Sequence, residues 1–222
     1  MISTDLEIEF IAYSAYYTEE ALIHQLFDEV NRPLPRLLEM KKDLFDAIAY
    51  QQVSGNFVAL VKAPLSDSST LDPSKPIVVC ERVEKPGNLG AILRTCDALG
   101  VEQVLCADTQ IDLYNPNVIR NSRGAVFSVN CQMVQNASCS EFLERSMYNI
   151  YQAALTDDAV DVNDIDLHST HPWALVFGSE SKGLSDYWLQ RSDHRVVIPM
   201  KGKVDSLNLS VTVALLMQRF LS

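Results

Sequence analysis

The sequence predicts an α/β protein with a largely parallel sheet, preceded by a small α+β N-terminal region. Three observations carry this. From Ile77 onward, short apolar runs alternate with amphipathic stretches, the rhythm of repeated strand–helix units. Before them lies a segment holding Pro64, Ser66, Ser68, Ser69, Pro73, Ser74 and Pro76 with little apolar content, the composition of a linker. The chain has 222 residues, 47% hydrophobic and 21% charged, which suits one large or two small folded domains and excludes a disordered polar chain. The expected division is residues 1–63, a linker over 64–76, and a second domain over 77–222.

The elements follow in order. Ile8–Tyr13 reads as a strand. Glu19–Val30 reads as a helix behind Thr18 as N-cap, with Glu19 and Glu20 beside the positive end of the helix dipole. Asn31-Arg32-Pro33-Leu34-Pro35 ends it. Lys41–Ala49 is a second helix and Phe57–Lys62 a strand. Past the linker, Ile77–Cys80 is a buried strand, Leu89–Leu99 a helix closed by Gly100, and Glu102–Cys106 a strand. Asn115–Asn121 is a short helix, Val126–Asn130 a strand, Cys139–Met147 a helix and Ile150–Ala154 a strand. Ala174–Phe177 is a strand running into Gly178, Ser185–Arg191 a helix and Arg195–Pro199 a strand. Ser206–Phe220 closes the chain as a helix, with Ser206 as its N-cap.

The formal net charge is −11, which excludes nucleic-acid binding by bulk charge. The signs are sorted, however. Arg82, Lys85, Arg94, Arg120, Arg123, Lys182, Lys201 and Lys203 lie in or beside polar loops of the second domain. Glu141, Glu144, Asp157, Asp158, Asp161, Asp164 and Asp166 cluster between them and read as a solvated face. Cys80, Cys96, Cys106, Cys131 and Cys139 are odd in number and contain no C-x-x-C pair, so reduced, structural cysteines and no zinc are expected. His24, His168, His171 and His194 have no ligand spacing and read as surface or structural groups, so no metal is expected. Trp173 and Trp188 read as packing residues. The start of the chain has no signal-peptide pattern, and no stretch of about 18 apolar residues is present. A cytoplasmic protein with no membrane span is the expectation.

Three loops concentrate Gly, Asn, Ser and charge where a parallel sheet presents its ligand-binding crevice, beyond the carboxyl ends of the strands. The first is Glu81–Gly90, where Pro86-Gly87 turns the chain and Asn88 opens a helix whose unpaired N–H groups favour an anion. Arg94 follows six residues on and can curl towards the loop or face a partner chain. A plain cap at Asn88 and a surface charge at Arg94 would read the same way. The second is Gly178-Ser179-Glu180-Ser181-Lys182-Gly183, in which Gly178 permits close approach to the backbone and Glu180 can accept hydrogen bonds. The third runs from Ile198-Pro199-Met200 to Ser206-Leu207-Asn208-Leu209-Ser210, where Asn208 is either a capping side chain or a specific hydrogen-bonding group. None of the loops has the dinucleotide glycine fingerprint or a phosphate-binding P-loop, so a generic Rossmann enzyme is disfavoured.

Taken together, Asn88-Leu89-Gly90-Ala91-Ile92-Leu93-Arg94-Thr95, Phe177-Gly178-Ser179-Glu180 with Lys182-Gly183-Leu184-Ser185, and Ile198-Pro199-Met200 with Ser206-Leu207-Asn208-Leu209-Ser210 resemble the three motifs of the SpoU–TrmH family, RNA ribose 2′-O-methyltransferases of the SPOUT superfamily. Ile119–Phe127 resembles the family's small-residue segment. The resemblance implies a SPOUT-type sheet with a C-terminal trefoil knot, S-adenosylmethionine as cofactor, a homodimer, and rRNA or tRNA as substrate. It places the cofactor pocket at Gly178, Ile198, Met200, Ser206, Leu207 and Asn208, and the catalytic set at Asn88, Arg94, Glu180, Ser206 and Asn208. The basic residues named above would contact RNA. Tyr16–Lys62 resembles the second half of an L7Ae-type recruiting domain, in shortened form. The competing reading is a catalytically silent SPOUT-fold protein that binds RNA or a partner. Presence of all five catalytic-type residues favours the enzyme.

Overall fold

The computed structural model describes residues 6–49, 56–63, 70–167, 170–191 and 194–222, and the chain divides into units 1–65 and 66–222. The N-terminal unit contains β1 (Ile8–Tyr13), α1 (Glu20–Glu29), β2 (Arg36–Glu39), α2 (Lys42–Ile48) and β3 (Phe57–Val61). Its sheet runs β2-β1-β3, with β1 parallel to β2 and antiparallel to β3. Ile11 and Tyr13 of β1 pack on Ile23 and Phe27 of α1. Thr18 does not cap α1. Glu19 holds the cap position, while Thr18 is buried in a turn and donates its N–H to the Ser14 carbonyl at 3.1 Å. The sequence reading missed β2, whose four residues place only Leu37 and Leu38 between charged ends.

The second unit is built on β4 (Ile77–Glu81), α3 (Pro86–Leu99), β5 (Gln103–Ala107), α4 (Pro116–Ser122), β6 (Asn130–Val134), α5 (Asn136–Arg145), β7 (Asn149–Ala153), β8 (Val160–Asp161), β9 (Trp173–Phe177), α6 (Asp186–Leu189), β10 (His194–Val197) and α7 (Leu209–Phe220). Seven strands form one parallel sheet in the order β6-β5-β4-β9-β7-β10-β8. Continuous apolar runs such as Ile77-Val78-Val79-Cys80 arise because both faces are covered. On one face Val78, Cys80, Val104, Cys106, Leu175 and Phe177 pack against α3 and α7. On the other, Ile77, Val79, Leu105, Ala107, Ala174 and Val176 pack against α5 and Trp188 of α6. All five cysteines are free and buried, and burial pushes the Cys96 thiol up to about 12. Trp188 is fully buried, and Trp173 stacks edge-on against Phe220 of α7.

Several boundaries differ from the sequence reading. Val126–Asn130 is not a strand: Gly124 at φ 95° turns the chain into a short 3-10 turn over Ala125–Phe127, whose apolar side chains join the core. The strand comes later, at β6, where Asn130 and Gln132 hydrogen-bond Thr70 and so obscure the apolar pattern. Helix α7 starts three residues later than expected, with Asn208 rather than Ser206 as its N-cap. The acidic stretch contains β8 and a 3-10 turn with buried Val162. Of the expected linker, 64–69 lies outside the described residues, as does His168. Its remainder is fastened to the sheet: the Asp72 N–H donates to Gln103 at 2.5 Å and the Tyr148 hydroxyl donates to the Lys75 carbonyl at 2.8 Å.

Candidate active site

Neighbouring strands β4 and β9 release their loops side by side, and the site grows from these two loops and the start of α7. After β4, Lys85 caps α3 and Pro86 occupies its first turn, where a missing N–H costs nothing. Asn88 is therefore inside the first turn and 9% exposed. After β9, Ser179 and Gly183 exchange backbone hydrogen bonds at 3.0 Å in both directions, closing a tight hairpin. Gly178 is required there: a Cβ would lie 2.0 Å from the Gly183 carbonyl carbon and 2.1 Å from the Leu184 nitrogen. The chain's own hairpin therefore makes a close approach at Gly178.

A directed chain of hydrogen bonds joins the three loops. The Ser210 N–H donates to Asn208 Oδ1 at 2.9 Å, Asn208 Nδ2 donates to Asn88 Oδ1 at 3.1 Å, and Asn88 Nδ2 donates to Glu180 at 2.7 Å. Glu180 also accepts the Glu84 and Lys85 N–H groups at 2.9 and 3.2 Å. Burial pushes its pKa up, but these hydrogen bonds outweigh burial and hold the carboxyl below its ordinary value. Glu180 is thereby fixed as an anion, and both Asn amides have one orientation. Asn208 fulfils both roles left open by the sequence, capping α7 while orienting Asn88.

Beside this chain lies a cavity of about 710 Å³, lined by 153–156, 177–184 and 206–209 together with Lys85, Leu189 and Thr212. Gly178, Ser206, Leu207, Asn208 and Glu180 are walls, as are Lys85 and Lys182. Ile198 packs against the core instead, and neither it nor Met200 is a wall. Arg94 is exposed on α3, outside the cavity. Arg82 lines a neighbouring groove, on whose boundary Lys182 also sits. Arg120 lies on α4 with Arg123 just past its end, and Lys201 and Lys203 are exposed before α7. Among the described residues no group of three His, Cys, Asp or Glu side chains is placed to hold a metal, and no helix is long and apolar enough to cross a membrane.

Sequence reasoning missed the Ala153–Thr156 wall, which carries no motif, and the buried Glu81, whose only signal is a charge closing an apolar strand.

The sequence pattern of the SpoU rRNA methylase family matches residues 75–218. The chain belongs to this family. Among curated relatives of this SpoU-family chain, the 23S rRNA (uridine(2479)-2′-O)-methyltransferase of Streptomyces viridochromogenes is 33% identical over 156 residues, 68% of this chain and 54% of its own length. The tRNA (guanosine(18)-2′-O)-methyltransferase of Thermus thermophilus is 34% identical over 142 residues, 63% of this chain and 71% of its own. The solved structure of the SpoU methyltransferase AviRb from S. viridochromogenes, in complex with the cofactor AdoMet, superposes with a TM-score of 0.81 at 26% identity, covering 98% of this chain and 83% of that one. A crystal structure described as an RNA 2′-O ribose methyltransferase superposes at 0.79 with 31% identity, over 97% and 81% of the two chains.

Proposed function

We propose that this chain transfers a methyl group from S-adenosylmethionine to a ribose 2′-hydroxyl of rRNA or tRNA. The observation that carries the reading is the oriented chain Asn208–Asn88–Glu180 at the edge of a cavity walled by 153–156, 177–184 and 206–209. The cavity's volume suits a small-molecule cofactor. Its residues fit S-adenosylmethionine, because Leu155, Leu189 and Leu207 offer apolar surface, and Ser206, Asn208 and Glu180 polar groups, to a nucleoside and a zwitterion. The cofactor, when bound, supplies an electrophilic methyl sulfonium.

The chain's own residues then hold the ribose and favour negative charge developing on its oxygen. A guanidinium is a poor proton acceptor, so Arg94 acts by holding a phosphate or the oxyanion, with the hydroxyl proton lost late, to solvent. Ser206 borders the same edge. Arg82, Lys85, Arg94, Arg120, Arg123, Lys182, Lys201 and Lys203 make a local basic surface for RNA in an acidic protein.

Val211 and Leu215 are exposed four residues apart on one face of α7, which packs on α3, the helix that carries Arg94. We assign this face to a homodimer interface. We further propose that the segment following β9 is knotted, that 1–63 is a shortened recruiting domain of L7Ae type, 64–76 its linker and 77–222 the methyltransferase domain, and that the protein works in the cytoplasm. Calorimetric titration with S-adenosylmethionine, followed by ribose-methylation mapping of total RNA with and without the gene, tests the function. Micromolar binding and one lost modification support it. Absence of binding at millimolar cofactor sinks the enzyme and leaves the silent RNA-binding reading.

A further inference from the structure

We infer that Glu81 is a positioning residue for the proposed methyl transfer, acting through the Ser179–Gly183 hairpin. The inference rests on the reading above and goes beyond it, since Glu81 belongs to neither the catalytic nor the cofactor set.

Glu81 closes β4 and is 1% exposed. Burying a carboxylate costs several kcal/mol unless donors surround it. Here Asn136 Nδ2 donates at 2.8 Å, the Ser185 N–H at 2.8 Å and the Ser185 hydroxyl at 2.5 Å, with Arg82 Nε at 3.7 Å. Asn136 is itself locked, its Oδ1 accepting Trp188 Nε1 at 2.7 Å and its N–H donating to Asp108 at 3.1 Å. A strand end needing only stability would be apolar, like the four residues before it. The acid instead joins β4 to the starts of α5 and α6.

Ser185 gives up something for this bond. It sits at the N-cap of α6, where a serine side chain ordinarily accepts from the first turn, yet it makes no capping bond. Its hydroxyl is turned to Glu81 instead. A local rule broken in favour of a distant partner is the signature of a constraint imposed by a site.

That constraint falls on the hairpin. Bridged at Ser179–Gly183 and pressed against Gly178, the hairpin moves as one piece, and Ser185 lies two residues beyond its base. Glu81 fixes that base. The tip carries Glu180, whose carboxylate orients Asn88 and through it Asn208. Released at its base, the hairpin tilts and Glu180 leaves Asn88.

Glu81→Gln keeps the length but turns an amide NH2 towards donors. Turnover at saturating S-adenosylmethionine, cofactor affinity and hydrogen exchange of the 179–185 amides are measured for the wild type, E81Q, E180Q and E81Q/E180Q. The expectation is a kcat loss of about 100-fold in E81Q with an intact circular-dichroism spectrum and faster exchange in the hairpin, and a double variant no slower than E180Q alone, since residues acting as a unit are non-additive. Should E81Q not fold, Ser185→Ala, which removes one donor of three, is expected to lose about fivefold in kcat by the same route. E81Q turnover within twofold of wild type, losses that multiply in the double variant, or unchanged hairpin exchange overturn the inference. A wild type that methylates no RNA fails the functional reading instead, and the exchange comparison still decides whether Glu81 holds the hairpin.

Discussion

Glu81 and Glu180 each bind the other's loop: Glu81, from the end of β4, accepts the Ser185 N–H beyond β9, and Glu180, from beyond β9, accepts the Glu84 and Lys85 N–H groups beyond β4. Two carboxylates crossing in opposite directions make the paired loops one body. The walls of the cavity and the amide chain are then set by the same few bonds, which hold a cavity made mostly of loop in one geometry.

Glu180 should control acid stability. Its folded pKa is depressed, so its contribution is present above the unfolded carboxylate value of about 4.3 and is lost as pH falls through the lower folded value. Melting temperature measured from pH 6 to pH 3 should fall less steeply in Glu180→Gln than in the wild type. Parallel curves would show that the carboxylate carries no linkage. At neutral pH the same variant should lose about 100-fold or more in turnover, the scale of removing one oriented polar group from an active site.

Gly178→Ala should cost about 3 kcal/mol, the upper range for overpacking, because the added Cβ meets backbone that cannot turn aside. In a chain of this size that corresponds to a fall of about 6–12 °C in Tm by calorimetry. Gly202→Ala is the matched control. Nothing lies within 4 Å of its Cβ, and its Tm should stay within about 1 °C, as for ordinary surface substitutions. Equal losses at the two positions would refute the packing account.

Much of this arrangement was legible from the chain. The parallel sheet was readable because buried strands such as Val78-Val79-Cys80 and Leu175-Val176-Phe177 have no polar face. Asn88 and Asn208 could be singled out because they open apolar helices, and Glu180 because it follows an apolar strand. What stayed hidden depends on partners distant in sequence. Glu81 is separated from Ser185 by 104 residues and from Asn136 by 55, and no local period records such pairs. The crowding at Gly178 also depends on the folded geometry, since it comes from Gly183 and Leu184 across the hairpin. β6 escaped because Asn130 and Gln132 spend their polarity on Thr70.

The apolar stripe on α7 predicts a dimer. Val211 is 45% and Leu215 48% exposed, four residues apart on one face of a helix whose opposite face is core. Val211→Glu should leave the fold intact, because no core contact changes, and should convert the wild-type dimer to a monomer in sedimentation velocity. A wild type that sediments as a monomer at micromolar concentration would remove the interface.

Arg94→Ala separates binding from turnover. Arg94 is exposed and is not a wall of the cavity, so S-adenosylmethionine affinity by calorimetry should change less than twofold. Its proposed work is on the RNA, where a guanidinium steadies a phosphate or the forming oxyanion, and its removal should lower kcat by about 100-fold or more. Arg94→Lys keeps the charge but loses the planar fork, so it should recover only part of that loss if geometry matters as well as charge. Collapse of cofactor binding with normal residual turnover would reverse the assignment. If Arg94 works from the dimer face, Val211→Glu should share its phenotype, with cofactor binding retained and turnover lost. Full activity in that variant, once shown to be monomeric, would place the working Arg94 on the same chain as the cavity it serves.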